Sequence, residues 1–254
     1  MTLTPITIPR VNVGQNLSRI VLNSLRDQKL ALQRADVVAV ASKVVSTCEG
    51  QVVKLHSMPV SEEARRLATK WNIDEHLTTI VVSEADRILG GVRGFLLTLK
   101  KGILTANAGV DVKNAPRGKA VLWPKYPDLS ARQLRAALGR CYRVDISVVM
   151  VDSRLTPLRL GTVGLAIGIA GFVPVRDDRG ERDLYGRKIR VTQTNVADDL
   201  ASSGHFLMGE AAERIGAVVI RGAHVAPSSA SNSRSARLSL SKCLIGNSLG
   251  KQST

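Results

Sequence analysis

A chain of 254 residues is long enough for one sizeable core or two smaller ones, and 44% hydrophobic with 22% charged residues excludes wholesale disorder and a fibrous architecture. The net charge of +15, from 36 basic and 21 acidic residues, favours anionic partners: nucleotides, phosphorylated coenzymes or nucleic acid. Three Phe, two Trp and three Tyr are too few for the stacking platforms of single-stranded nucleic-acid binders, which argues against nucleic acid.

In chain order, the N-terminus has no basic region followed by an apolar run, so the expectation is a cytoplasmic protein. Asp36 opens DVVAVAS, a short β-branched run that predicts a buried strand ending at Ser42 and Lys43. Ser61 before EEARRLATKW predicts a capped helix with acidic residues in its first turn, and a second helix is expected over His76 to Ile88. GFLLTL and ILTAN, joined by Lys100, Lys101 and Gly102, predict a β-hairpin that delivers Asn107 to Asp111. A helix follows over Ser130 to Arg140, then a buried strand over 144–152 that terminates at Asp152 and Ser153. The longest apolar stretch, Val163 to Val175, is broken by glycines and shorter than the ~20 residues a membrane span needs, so no membrane association is expected.

The charged segment 178–192 reads as a solvated hairpin, and Asn195 to Leu207 as a helix. Residues 1–225 read as the main catalytic unit, with two lobes open as a division of it. Residues 226–254, with nine serines, four basic residues and no acidic ones, read as a separate, loosely docked tail. The tail accounts for +4 of the net charge, so the basic bias belongs to the body as well.

The chemistry-bearing residues are sparse. No phosphate-binding GxxxxGK[ST] loop, GxGxxG, HExxH or CxxC is present. Cys48, Cys141 and Cys243 lie far apart and read as reduced, structural thiols. The four histidines show no ligand spacing and read as surface or satisfied residues. Gly164, Gly168 and Gly171 are spaced for close backbone packing rather than for a phosphate cradle. Asp111 and Asp152 each close an apolar strand-like segment. As hard oxygen donors, with the Ser153 hydroxyl and Glu210, they would suit Mg²⁺ or Mn²⁺ bound together with phosphate oxygens. Taken alone, the two aspartates read more readily as strand-terminating or turn residues, and Glu210 as a solvated side chain near a helix start.

The segments ANAGVDVKN (106–114), WPKYPDLSA (123–131), DLYGRKIRVT (183–192), VADDLASSGHFLMGEAAE (196–213) and AVVIRG (217–222) resemble, in order and spacing, the coenzyme F420-0:L-glutamate ligase (gamma-glutamyl ligase) family. The resemblance implies a mixed α and β (α+β) fold particular to that family and an intertwined homodimer. It also implies GTP-dependent ligation of L-glutamate to a deazaflavin coenzyme precursor through an acyl phosphate, followed by γ-linked extension. GTP is then a co-substrate, Mg²⁺ or Mn²⁺ occupies two sites, and K⁺ is an allowed further ion.

Position by position, the resemblance makes Asp111 and Asp152 ligands of one ion, and Ser153 and Glu210 ligands of the second. It assigns guanine-nucleotide contacts to Ile8, Pro9, Arg10, Val11, Ser42, Lys43, Thr47 and Asn114, and to Met208, Gly209, Ala211, Ala212, Glu213, Arg214 and Ile215. Two stretches depart from the family pattern. VVSTCEG carries Thr47 where many members have lysine, and DSRLTPLRLG (152–161) replaces a glycine-arginine loop. The altered loop leaves a different carboxylate substrate open as an alternative. A non-catalytic basic protein that binds nucleotide or nucleic acid is the alternative from another class, although three carboxylates serve phosphate binding poorly.

Overall fold

A computed structural model describes residues 1–245. The strands in chain order are β1 (Thr2–Thr7), β2 (Val37–Ala41), β3 (Val52–Lys54), β4 (Arg87–Val92), β5 (Phe95–Lys100), β6 (Ile103–Ala106), β7 (Lys119–Val121), β8 (Ser147–Leu155), β9 (Thr162–Phe172), β10 (Arg176–Asp177), β11 (Gln193–Thr194), β12 (Ile215–Arg221) and β13 (Pro227–Ser228). The helices are α1 (Leu17–Asp27), α2 (Ser42–Cys48), α3 (Glu62–Trp71), α4 (Glu75–Glu84), α5 (Pro127–Tyr142) and α6 (Val196–Met208). The class is mixed α and β, as expected, and the chain divides into two compact units. No helix among the described residues is long and apolar enough to cross a membrane.

The first unit comprises residues 1–49, 124–153 and 162–236. Its six-stranded sheet has the order β1-β12-β2-β8-β9-β13, with β2 and β8 parallel and β12 antiparallel to both β1 and β2. Period-two alternation places Val37, Ala39, Val149, Val151, Val218 and Ile220 on one face, in a core with Ala197, Leu200, Ala201 and Met208 of α6. The alternate residues Val38, Val40, Val148 and Met150 are equally buried, so these strands are covered on both faces and read as continuous apolar runs. The glycine-rich strand β9 is built for close approach. A Cβ at Gly164 would overlap the Ala201 backbone, and one at Gly168 would meet Pro127 at the start of α5. These glycines pack against helices, as their spacing implied.

An ion pair with one buried partner ties the start of β2 to the end of β12. Asp36, fully buried, accepts from Arg221 Nε (2.9 Å) and Nη2 (2.8 Å) and from the Gln33 amide (2.7 Å). The charged segment after β9 is a hairpin: β10 pairs with β11, and Arg182 bridges Lys188. Part of the serine-rich stretch is integral to this unit. β13 pairs with β9, and buried Ser233 donates its amide (2.9 Å) and hydroxyl (3.0 Å) to Asp128. Residues 246–254 of the expected tail lie outside the described residues.

The second unit comprises residues 50–123 and 154–161 and continues from Arg237. It holds the antiparallel sheet β4-β5-β6, the pair β3-β7, and helices α3 and α4 around a core that includes Leu67, Ile80, Val81, Leu96 and Leu122. Ser61 caps α3 by accepting from the Ala64 amide, as its position predicts. The expected hairpin is present, with Lys101 and Gly102 both at positive φ in its turn.

Boundaries differ where pairing outweighs local pattern. The helix expected to reach Ile88 stops at Glu84, because Arg87–Val92 pairs with β5 as a third strand. α5 begins three residues earlier than expected, with Pro127 in its first turn where a missing N–H costs nothing. The strand expected over 144–152 is shifted to Ser147–Leu155 and so continues past Asp152.

Candidate functional site

In the first unit β2 and β8 run in parallel, with Ala41 opposite Val151. Parallel neighbours end at the same sheet edge, so Ser42–Lys43 and Asp152–Ser153 leave the pair side by side, the position where open α/β sheets commonly bind ligands. The Ser42 hydroxyl, 4% exposed, donates to Asp152 Oδ1 at 2.7 Å and fixes that half-buried carboxylate. One turn on, Thr47 spends its hydroxyl on the helix itself, donating to the Lys43 carbonyl at 2.7 Å. Burial, with the Glu49 charge adding to it, pushes the neighbouring Cys48 thiol up to about 11. The thiol therefore stays protonated at neutral pH and is no nucleophile.

A second convergence lies at the same end of that sheet, because β12 pairs Ala217 with Val40 beside the end of β2. β1 and β12 pair Thr7 with Ile215, and the Ile8 amide donates to the Arg214 carbonyl at 3.0 Å. Ile8 is buried against Gly216, where a Cβ would strike its side chain. The segments Ile8–Val11 and Met208–Ile215 are thus neighbours.

Between α6 and β12 the chain turns at Gly209, whose φ of 67° and ψ of −174° are accessible essentially only to glycine. A Cβ there would overlap the Glu213 carboxylate, whose Oε2 accepts the Ala211 amide at 2.8 Å. The turn brings Glu210 back to the helix. Its Oε1 accepts from His205 Nε2 at 2.9 Å and from the Thr162 hydroxyl at 3.1 Å. Gly209→Ala should therefore destabilise the fold by about 1–3 kcal/mol, read as a fall in the urea midpoint at unchanged m value.

In the second unit the hairpin leads into Asn107–Gly109. Asn107 Oδ1 accepts the Leu96 amide (2.8 Å), and Gly109, at φ 68°, lies so close to Trp123 that any Cβ would overlap the indole. Asp111 follows, its backbone bonded twice to Val121 and its Oδ1 accepting the Lys113 amide at 2.7 Å. Asn114 sits at φ 57°, a left-handed turn position that Asn tolerates.

Residues 5–222 match the family described as F420-0:Gamma-glutamyl ligase. The chain belongs to that family. Among its relatives, the coenzyme F420:L-glutamate ligase of Methanopyrus kandleri is 37% identical over 224 residues, covering 87% of each chain. Proteins of the same name from Methanocaldococcus jannaschii and Archaeoglobus fulgidus are 37% and 33% identical, covering 76% and 86% of this chain and 78% and 86% of their own lengths.

For this gamma-glutamyl ligase family member, the candidate residues Ser42, Lys43, Thr47, Asp152 and Ser153 gather at one sheet edge, and Ile8, Pro9, Arg10 and Val11 adjoin Met208 to Ile215. Glu210 bonds to Thr162, which opens β9, the strand beside the one that carries Asp152 and Ser153. Asp111 and Asn114 belong to the second unit, where each sits in a turn. Two partners of Glu210 lie outside the candidate set: Thr162 belongs to no local motif, and His205 reads in the sequence as a surface or satisfied residue. The signal for His205 was its place in the last turn of a helix, five residues before the candidate acid.

Proposed function

We propose that this chain is a GTP- and divalent-metal-dependent ligase that joins L-glutamate to the deazaflavin precursor F420-0 and can extend the product through the γ-carboxyl. The observation that carries this reading is membership of the gamma-glutamyl ligase family across residues 5–222. The chemistry proceeds in two balanced steps. A carboxylate oxygen of F420-0 attacks the γ-phosphorus of GTP and GDP leaves. The glutamate amine then attacks the acyl carbon, inorganic phosphate leaves with the C–O bond electrons, and the nitrogen loses a proton to give the amide.

The donor chemistry supports a metal. Among the described residues no three Asp, Glu, His or Cys side chains gather into a cage for an ion. A Mg²⁺ or Mn²⁺ ion bound with a nucleotide does not require one, since one or two carboxylates suffice when waters and phosphate oxygens complete the shell. Asp152 with Ser153, and Glu210, are hard oxygen donors of that kind, and Asp111 enters the proposal as a donor of its own unit. The ion would neutralise triphosphate charge and polarise the transferred phosphoryl group.

The chain's own residues have separable tasks in this reading. Ser42 holds the Asp152 carboxylate in one orientation, and Lys43 supplies positive charge to phosphate at the same edge. Thr47 lacks a charge and its hydroxyl is bound to the Lys43 backbone carbonyl; in this reading the Lys43 side chain, four residues earlier, takes the place of the lysine that many family members carry at position 47. The Arg10 and Arg214 side chains add cations along the other nucleotide segments. The homodimer is also part of the proposal: Leu184, Tyr185 and Val191 on the 178–192 hairpin are 101%, 84% and 84% exposed, apolar surface suited to a second copy.

The test is mass spectrometry of F420-0 after incubation with the purified chain, L-glutamate, GTP and Mn²⁺, with light scattering on the same preparation for its mass. A glutamyl adduct that requires nucleotide and metal is expected. GTP hydrolysis or binding without any adduct would overturn F420-0 as the acceptor and turn attention to other carboxylates, through the altered 154–161 loop whose Leu158 and Leu160 are fully exposed.

A further inference from the structure

We infer that His205 and Thr162 are positioning residues that hold the Glu210 carboxylate in its metal-binding orientation. The inference rests on the proposed reading of Glu210 as a ligand, and it gives work to two residues that this reading does not use.

The geometry is specific. Both donors meet one oxygen, Oε1, with His205 Nε2 at 2.9 Å and Thr162 Oγ1 at 3.1 Å. A carboxylate only accepts, so the imidazole carries its proton on Nε2. With two acceptor directions of Oε1 engaged, rotation about the last bond of the Glu210 side chain would break both hydrogen bonds. Without them, that terminal torsion is among the softest in a protein.

The donors are themselves held. His205 is 14% exposed at its side chain and lies in the last turn of α6, where its own carbonyl accepts the Gly209 amide at 3.1 Å. Backbone and ring of one residue thus grip both Gly209 and Glu210, and the glycine-only turn between them permits it. Thr162 is the first residue of β9, so the second donor comes from the sheet rather than from the helix. Glu210 is thereby referenced to two rigid elements, although it lies in a loop. Ligating carboxylates are commonly fixed by such outer hydrogen bonds, and their loss costs metal affinity.

The experiment is titration of the full-length protein with Mn²⁺ in the presence of GTP, with free Mn²⁺ read by electron paramagnetic resonance and thermal melting measured in parallel. His205→Ala is expected to raise the Mn²⁺ dissociation constant by about 10- to 100-fold, with Thr162→Val acting in the same direction. His205→Gln, which returns an N–H donor near the Nε2 position, is expected to restore affinity to within about 3-fold, with melting temperatures alike.

If Glu210→Ala loses Mn²⁺ while His205→Ala keeps wild-type affinity, the positioning role is overturned and Glu210 stands as a ligand. If Glu210→Ala itself binds Mn²⁺ normally, the ligand reading falls and takes the inference with it. If His205→Ala loses affinity only in step with melting temperature and Gln fails to rescue it, the contact is structural and the inference is overturned.

Discussion

Asp152→Asn is expected to lower the rate of the proposed GTP-dependent glutamyl transfer by at least about 100-fold, roughly 2.7 kcal/mol of activation free energy. The substitution keeps the shape of the side chain and leaves an oxygen to accept the Ser42 hydroxyl now found at 2.7 Å, so the junction of β2 and β8 should survive. What it removes is one unit of negative charge at the sheet edge where Ser42, Lys43 and Ser153 meet. A melting temperature within about 2 °C of wild type is the matching expectation, because the residue is half-buried and keeps its hydrogen bond. Product analysis by mass spectrometry beside a thermal melt checks both halves. Near-normal ligation by this variant would remove Asp152 from the proposed metal site.

The second large effect concerns stability. Arg221→Ala should cost about 2–4 kcal/mol, because it takes the charge partner from the buried Asp36 carboxylate, with the cost moderated by the 40% exposure of the Arg221 side chain. The guanidinium now makes two bonds to Asp36 and a third to the Ala31 carbonyl at 3.0 Å, and this pairing holds its own pKa above the ordinary arginine value. For a chain of this size the fall in melting temperature should be on the order of 10 °C. Adding Asp36→Asn to the variant should recover part of the loss, since the amide oxygen can still accept the Gln33 amide and no charge remains to be buried. A double variant no more stable than Arg221→Ala alone would show that lost packing of the arginine stem, rather than the stranded carboxylate, sets the cost.

By itself, the sequence determined those features that depend on local chemistry. The apolar β-branched runs at 37–41 and 147–151 could be read as buried strands because both faces are covered, and Ser61 and Asn195 marked helix starts because their oxygens accept amides three residues on. The family was legible for a related reason, since segments such as VADDLASSGHFLMGEAAE keep their order and spacing along the chain. Tertiary structure decided what depends on partners distant in sequence. Ile88 joined a strand instead of a helix because an open edge of β5 was there to pair with it. Asp152 met Ser42 across 110 residues, and Glu210 met Thr162 across 48, through sheet register that no local pattern encodes. Hydrogen bonds of that kind depend on where separate elements dock, and docking is set by packing summed over a whole core.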